Sequence, residues 1–298
     1  MKLNELRLGL IGCGGIAGGY GEEKGNHLLA LEQMGVTVDT YCDLDRGAAE
    51  RRLRQYGGRR VTTDPAEVFA DPDLHAVIIC TRHDSHAALA VAAARAGKHV
   101  FIEKPLALTE EQCAQVLDAE RRYGVKMMVG FSKRYTPALR ALAPLRGRAT
   151  SIVVEATEPA WGPEWFWGMD PVAGGGQVFG CGSHIADALL WLADSEPTRI
   201  MATGGPVTPV GPTSLNRVYA LVEFAGGLQA VFVSGDIGGN ERLSKFSIQF
   251  YTGRGCAVAY NRLKDLEVNN IPGLEPVHEP DEHFGDTIRD FVRCVVED

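Results

Sequence analysis

A lysine stands between a glutamate and a proline at Glu103-Lys104-Pro105, directly after the apolar run Val100-Phe101-Ile102. An ammonium at the carboxyl end of a parallel strand lies where open α/β sheets bind their ligands. From there it can hold or protonate a substrate oxygen. Upstream, Gly12-Cys13-Gly14-Gly15-Ile16-Ala17 has the form G-x-G-x-x-A and follows the strand-like run Leu6 to Ile11. In that setting Gly12 permits a tight turn, Gly14 lets backbone approach a pyrophosphate, and Ala17 allows close helix–strand packing. Gly15 and Ile16 open the following helix, whose first N–H groups can meet phosphate.

Asp43 ends a second strand-like run in Tyr41-Cys42-Asp43-Leu44-Asp45. A carboxylate there can accept hydrogen bonds from an adenosine ribose and would repel a 2′-phosphate, so NAD is expected over NADP. The separation from the glycine loop exceeds the usual figure of about 20 residues. The surplus is Gly18 to Asn26, a glycine-rich stretch that reads as an insertion into the first helix. Arg46 pulls the other way, because arginine is the usual partner of a 2′-phosphate, and Asp43 also suits a plain turn.

Positioning these groups requires alternating strands and helices. Strand-like runs recur at Val36 to Cys42, Ala76 to Cys80, His99 to Ile102 and Lys126 to Val129. Helical patterns lie between them at Arg46 to Tyr56, His86 to Ala96 before Gly97, and Glu110 to Tyr123 before Gly124. Thr109 and Gln112 fit a capping box at the start of the last of these. Such alternation with short connections predicts a parallel sheet covered on both faces. After about residue 131 the pattern changes to a long strand at Ala149 to Thr157 and one helix near Phe179 to Ala193. Two hairpins follow, around Gly226-Gly227 and around Thr252 to Gly255. The expected division is residues 1–131 as a dinucleotide-binding Rossmann domain and 132–298 as an α+β domain.

A length of 298 residues allows two domains with separate cores. With 30 basic against 38 acidic residues the net charge is −8, and no long basic tract occurs. Nucleic acid and anionic membrane surfaces are therefore not expected partners. Met1 to Leu10 lacks an apolar signal core, and no apolar run approaches the roughly 20 residues of a membrane span. Seven cysteines at scattered spacings suit reduced thiols, and a cytoplasmic location is expected. No His/Cys/Asp cluster has ligand spacing, so a metal is not expected.

Several stretches together resemble the Gfo/Idh/MocA oxidoreductases: Gly12 to Ala17, Thr81 to His86, Ala96 to Pro105, Val129-Gly130-Phe131, and Gly174 through His184 to Asp187. The Ala96 to Pro105 block is far more specific than the glycine motif. The resemblance implies an amino-terminal Rossmann domain and a carboxy-terminal domain with a large open, mostly antiparallel sheet that often mediates oligomerisation. A homo-oligomer, dimer or tetramer, is expected on that ground. The implied chemistry is hydride transfer between a nicotinamide and a sugar, cyclitol or related polyol. Lys104 would sit beside the reacting carbon, with Glu103 and Pro105 fixing its strand end. Thr81 and His86 would line the nicotinamide side, and His184 would serve as acid–base partner of the substrate hydroxyl. Imidazole titrates in the right range for that exchange.

The chain departs from the family pattern at three places. An aspartate is usual four residues before the histidine, and this chain has Gly180 there. Asp170, Asp187 or the acids of residues 155–158 are candidates to replace it. Arg82 replaces the proline usual after Thr81, and the chain stops at Asp298 within a helical pattern from Glu282 onward, where relatives run further. Trp161, Trp165, Phe166 and Trp167 cluster in a Pro- and Gly-rich stretch. Aromatic faces there, Trp161 and Trp165 in particular, can stack on the C–H faces of a sugar or simply close a core. Two other activities on the same scaffold stay open: a non-catalytic dinucleotide or sugar sensor, and glycoside cleavage through transient oxidation.

Overall fold

The structure, a computed structural model, describes residues 1–19, 26–159, 162, 166–207, 215–238 and 245–297. It divides into two compact units, Met1–Gly130 with Gly285–Asp298, and Phe131–Phe284.

The first unit alternates β1 (Leu8–Ile11), α1 (His27–Gln33), β2 (Val38–Cys42), α2 (Arg46–Tyr56), β3 (Arg60–Thr62) and α3 (Pro65–Ala70). It continues with β4 (Ala76–Ile79), α4 (His86–Arg95), β5 (His99–Ile102), α5 (Glu110–Tyr123) and β6 (Met127–Val129). The six strands run parallel in the order β3-β2-β1-β4-β5-β6. β1 and β4 are apolar or glycine at every position because both faces are covered. Leu8, Leu10, Ile78 and Phe101 point into one core layer, while Ile11, Val77, Ile79 and Ile102 point into the other. The helices start where the sequence supplies caps. Asp45 accepts the Gly47 N–H at 2.9 Å, and Thr109 accepts the Gln112 N–H at 3.2 Å. The Gln112 side chain returns to the Leu108 N–H, one residue outside a strict capping box.

The last helix, Asp286–Val296, corrects the expected division at 131/132, which gave it to the second domain. Ile288, Phe291, Val292 and Val295 form an i, i+3, i+4, i+7 stripe that is buried in the first unit's core. Phe291 lies 5.7 Å, ring to ring, from Phe101 of β5. α1 has only seven residues, and this helix packs beside it over the same sheet face.

The second unit holds α6 (Pro137–Leu142), β7 (Ser151–Thr157), α7 (Ser183–Ala193), β8 (Pro197–Gly205), β9 (Arg217–Phe224), β10 (Gln229–Gly235), β11 (Phe246–Tyr251), β12 (Cys256–Tyr260), β13 (Asp265–Asn269) and β14 (Val277–His278). Its eight-stranded sheet has the order β14-β13-β12-β11-β7-β10-β9-β8, and β7 with β10 is the parallel pair among otherwise antiparallel neighbours. The β9–β10 turn uses Gly226 and Gly227 at φ of 86° and 91°, a region that favours glycine. Ile152, Val154 and Ala156 of β7 pack with Leu139 and Leu142 of α6 and Ile185, Leu189 and Leu192 of α7. Among the described residues, no helix is long and apolar enough to cross a membrane.

Candidate functional site

In the first unit, the turn after β1 is written into its glycines. Gly12 has φ of 91°, and a Cβ there would stand 2.5 Å from the Cys80 carbonyl oxygen. Gly14 is the opposite case, since a Cβ there would meet no protein atom within 4 Å. Its backbone faces open space, as a pyrophosphate-binding turn needs. Gly15 and Ile16 begin a single π-type turn, Gly15–Gly19, rather than the expected α-helix start. Most of the expected insertion, residues 20–25, lies outside the described residues.

Asp43 ties this loop to the end of β2. Its Oδ2 accepts the Cys13 N–H at 2.7 Å and its Oδ1 accepts the Asp45 N–H at 2.8 Å. The turn role and the ribose role are therefore compatible, since each carboxylate oxygen has a second lone pair to offer. The neighbouring thiols are buried. Burial first, and then the Asp43 charge, push Cys13 and Cys42 up to about 12.

At the end of β5 the Glu103 side chain is buried. Its Oε1 lies 2.6 Å from His27 Nε2, and its Oε2 accepts the Lys104 backbone N–H at 3.1 Å. Burial alone would raise the Glu103 pKa. The hydrogen bond and charge of His27, with the charges of Lys104 and His86, outweigh it and hold the carboxyl below its ordinary value. His27 itself packs its ring edge on Phe101, with centroids 4.9 Å apart. This residue, the first of α1, went unseen in the sequence because its partner is 76 positions away.

His86 is fully buried, with Nδ1 2.7 Å from the Pro105 carbonyl oxygen and Nε2 3.1 Å from that of Thr81. Both nitrogens thus face backbone, so the ring joins the ends of β4 and β5 instead of lining a cofactor surface. Burial lowers its pKa, although the two carbonyl oxygens favour the charged ring. The Thr81 hydroxyl bonds the Ser85 hydroxyl at 2.7 Å. Lys104, half-buried, thus follows a strand end fixed by Glu103, His27 and His86.

In the second unit, His184 lies in the first turn of α7, after a π-type turn at Val178–Gly182. Its ring stands edge-on between Phe131 at 6.3 Å and Phe246 at 6.0 Å. Two ammonium groups also face the Phe246 ring, Lys133 at 4.8 Å and Lys245 at 5.6 Å from its centroid. Lys133 donates to Glu282 at 2.6 Å, and Arg262 pairs with the same carboxylate. Burial lowers the Lys133 pKa, and Glu282 opposes it. Gly180 sits in the π-type turn with its N–H on the Gly176 carbonyl at 3.0 Å.

The other candidate acids sort cleanly. Asp170 spends its Oδ1 on the Val172 and Ala173 N–H groups, both at 2.8 Å, and closes the loop before the glycine triplet. Asp187 is clamped by two nitrogens of Arg134, one at 2.7 Å. Glu155 accepts the Ser247 hydroxyl at 2.8 Å on the sheet. Glu158 pairs with Lys245 at 2.8 Å. Trp161 and Trp165 lie outside the described residues, while Phe166 and Trp167 are half-buried with ring centroids 5.2 Å apart.

A parallel six-stranded sheet with an open glycine turn and an acid at the end of β2 defines an NAD(P)-binding Rossmann unit of an oxidoreductase. A profile for an oxidoreductase family with an NAD-binding Rossmann fold matches residues 6–131, and that of the GFO/IDH/MocA C-terminal domain matches residues 147–255. The chain belongs to the Gfo/Idh/MocA oxidoreductase family. It is 32% identical over 227 residues to an inositol 2-dehydrogenase of Acidothermus cellulolyticus, a match covering 74% of this chain and 63% of that protein. With a levoglucosan dehydrogenase of Pseudarthrobacter phenanthrenivorans it shares 28% identity over 253 residues, 74% of this chain and 64% of that one. The chain thus spans less than two thirds of either relative's length. A solved levoglucosan dehydrogenase in complex with NADH and levoglucosan shares the fold, with a TM-score of 0.84 at 23% identity over 98% of this chain and 90% of that one.

Proposed function

We propose that this chain is an NAD-dependent dehydrogenase acting on a secondary hydroxyl of a sugar, cyclitol or related polyol. The observation that carries the reading is the rigid end of β5: a buried Glu103–His27 pair and the His86–Pro105 contact hold Lys104 on the unit that bears the open glycine turn. Gly12, Gly14, Gly15 and Ile16 would hold the pyrophosphate and Asp43 the adenosine ribose. Oxidised nicotinamide, when bound, supplies the hydride acceptor. The Lys104 ammonium stabilises the alkoxide that develops on the substrate oxygen, and His184 takes the hydroxyl proton. Glu103 and His86 act through position, and Thr81 lies at the β4 end they brace. A screen of sugars and cyclitols by nicotinamide absorbance, with NAD and NADP in parallel, tests this. Reduction of neither cofactor by any polyol would overturn it.

The Asp43 carboxylate supports NAD over NADP. Asp43→Ala is expected to weaken NAD about 10–100-fold, the worth of a hydrogen bond to a charged group. It should weaken NADP much less, because a repulsion is removed as well. Titration of both cofactors by fluorescence checks this, and a wild-type preference for NADP would end the argument.

Self-association is proposed through the sheet face of the second unit opposite α6 and α7. On that face Met201, Leu221, Val231 and Val153 are direct neighbours across β8, β9, β10 and β7. Met201 is 46% and Leu221 50% exposed, a contiguous apolar row that water disfavours. Leu221→Lys is expected to shift the protein toward monomer in sedimentation velocity. An unchanged assembly size would move the interface elsewhere.

A further inference from the structure

Gly180 leaves the His184 helix without the carboxylate that its family pattern supplies; Asp187, on that helix, is taken up by Arg134, whereas Glu158 meets the turn before it through Lys245. Glu158 follows the last residue of β7, and Lys245 precedes the first residue of β11. The strands bring them side by side. Ala156 pairs with Phe246, and the Thr157 N–H donates to the Lys245 carbonyl at 3.0 Å. The Lys245 ammonium lies 2.8 Å from Glu158 Oε1 and 2.9 Å from Oε2, and it also bonds the Cys181 thiol. Cys181 is the residue after Gly180 and stands three before His184, on the same side of the helical run. The ion pair, the thiol, the imidazole and the Phe246 ring therefore form one cluster within the second unit.

Two features separate this pair from an ordinary structural bridge. Its side chains are only 15% and 25% exposed, and a pair so desolvated stabilises a fold no better than apolar groups of similar size. Further, Glu158 Oε1 is buried and accepts no hydrogen bond among the described residues, although the ammonium is near it. An acceptor with an open lone pair thus stands beside a donor. A sugar hydroxyl, which both donates and accepts, matches that combination.

We propose that Glu158 and Lys245 together replace the missing aspartate and hold a substrate hydroxyl neighbouring the one that reacts at His184, making the pair a specificity determinant for vicinal polyols. Glu158 accepts that hydroxyl's proton in a hydrogen bond and Lys245 donates to its oxygen. The inference rests on the dehydrogenase reading above and deepens it.

The test uses the full chain and the variants Glu158→Gln, Lys245→Met and the double variant, which removes both charges and so leaves no buried unpaired one. The probes are inositol, levoglucosan and a deoxy-inositol lacking the neighbouring hydroxyl. Steady-state kinetics are read beside calorimetric polyol binding to the NADH-loaded protein. Each single variant is expected to raise KM and weaken polyol binding about 10–100-fold, with kcat changed less and NADH affinity unchanged. The wild type should prefer inositol over the deoxy probe by at least about tenfold, and the double variant should lose that preference. A merely structural pair would not tie its effect to one hydroxyl. A double variant that keeps wild-type KM and full discrimination overturns the proposal while leaving the dehydrogenase reading intact. A wild type that turns over no polyol sinks that reading instead, and the pair then stands or falls on whether calorimetric binding is lost in the double variant.

Discussion

Replacing Lys104 by alanine is expected to lower kcat about 10²–10⁴-fold, the usual contribution of one positioned proton-transfer or charge-stabilising group. The affinity for NAD should stay within a few-fold of wild type. The second half of that expectation follows from how the strand end is built. Glu103 Oε2 receives the Lys104 backbone N–H, which alanine retains. The Glu103–His27 pair and the His86 contact to Pro105 likewise involve no atom of the lysine side chain. The variant therefore removes an ammonium without removing its support. Rapid-mixing measurement of NADH formation, with NAD affinity from fluorescence, separates the two effects. Wild-type kcat in the variant would remove Lys104 from the reaction, whereas a parallel loss of NAD affinity would make it a cofactor ligand.

How much of this was legible in the sequence depends on the range of each interaction. β1 and β4 could be read because burial on both faces leaves no polar position in a run of four. The ends of α2 and α5 could be read because Asp45, Thr109 and Gly124 act on backbone within a few residues of themselves. The edge strand β8 was not, since its residues are almost all exposed and carry no alternation. The last helix is legible as a helix, but its apolar stripe does not say which core it covers. Asp43 was half legible: its place at the end of β2 was expected, but its grip on the Cys13 N–H was not. The Glu158–Lys245 pair lay beyond reach altogether. Its members are 87 positions apart and are joined only through strand register. Lys104 shows the same limit from the other side, because its motif was plain while the histidine that braces it was not.

That histidine is where the second large effect is expected. His27→Ala should destabilise the first unit by about 3–5 kcal/mol at neutral pH, the cost typical of leaving one member of a buried pair unpartnered. The pH dependence distinguishes this from a simple cavity. In the wild type the Glu103 carboxyl is held below its ordinary value of 4.5, so its contribution is present above that value and is lost as pH falls through the folded pKa. Without His27 the largest influence left is burial, which raises the pKa. The folded variant then holds its proton more tightly than the unfolded chain, and its stability falls as pH rises past 4.5. The gap between wild type and variant is expected to be widest near pH 7 and to narrow toward pH 4.5. The first unit's residues include no tryptophan, so tryptophan fluorescence does not report this change directly. Amide hydrogen exchange at Phe101 and Ile102, measured at both pH values, does. A loss of protection that is equal at the two pH values would mean that His27 serves packing against Phe101 and not the charge of Glu103.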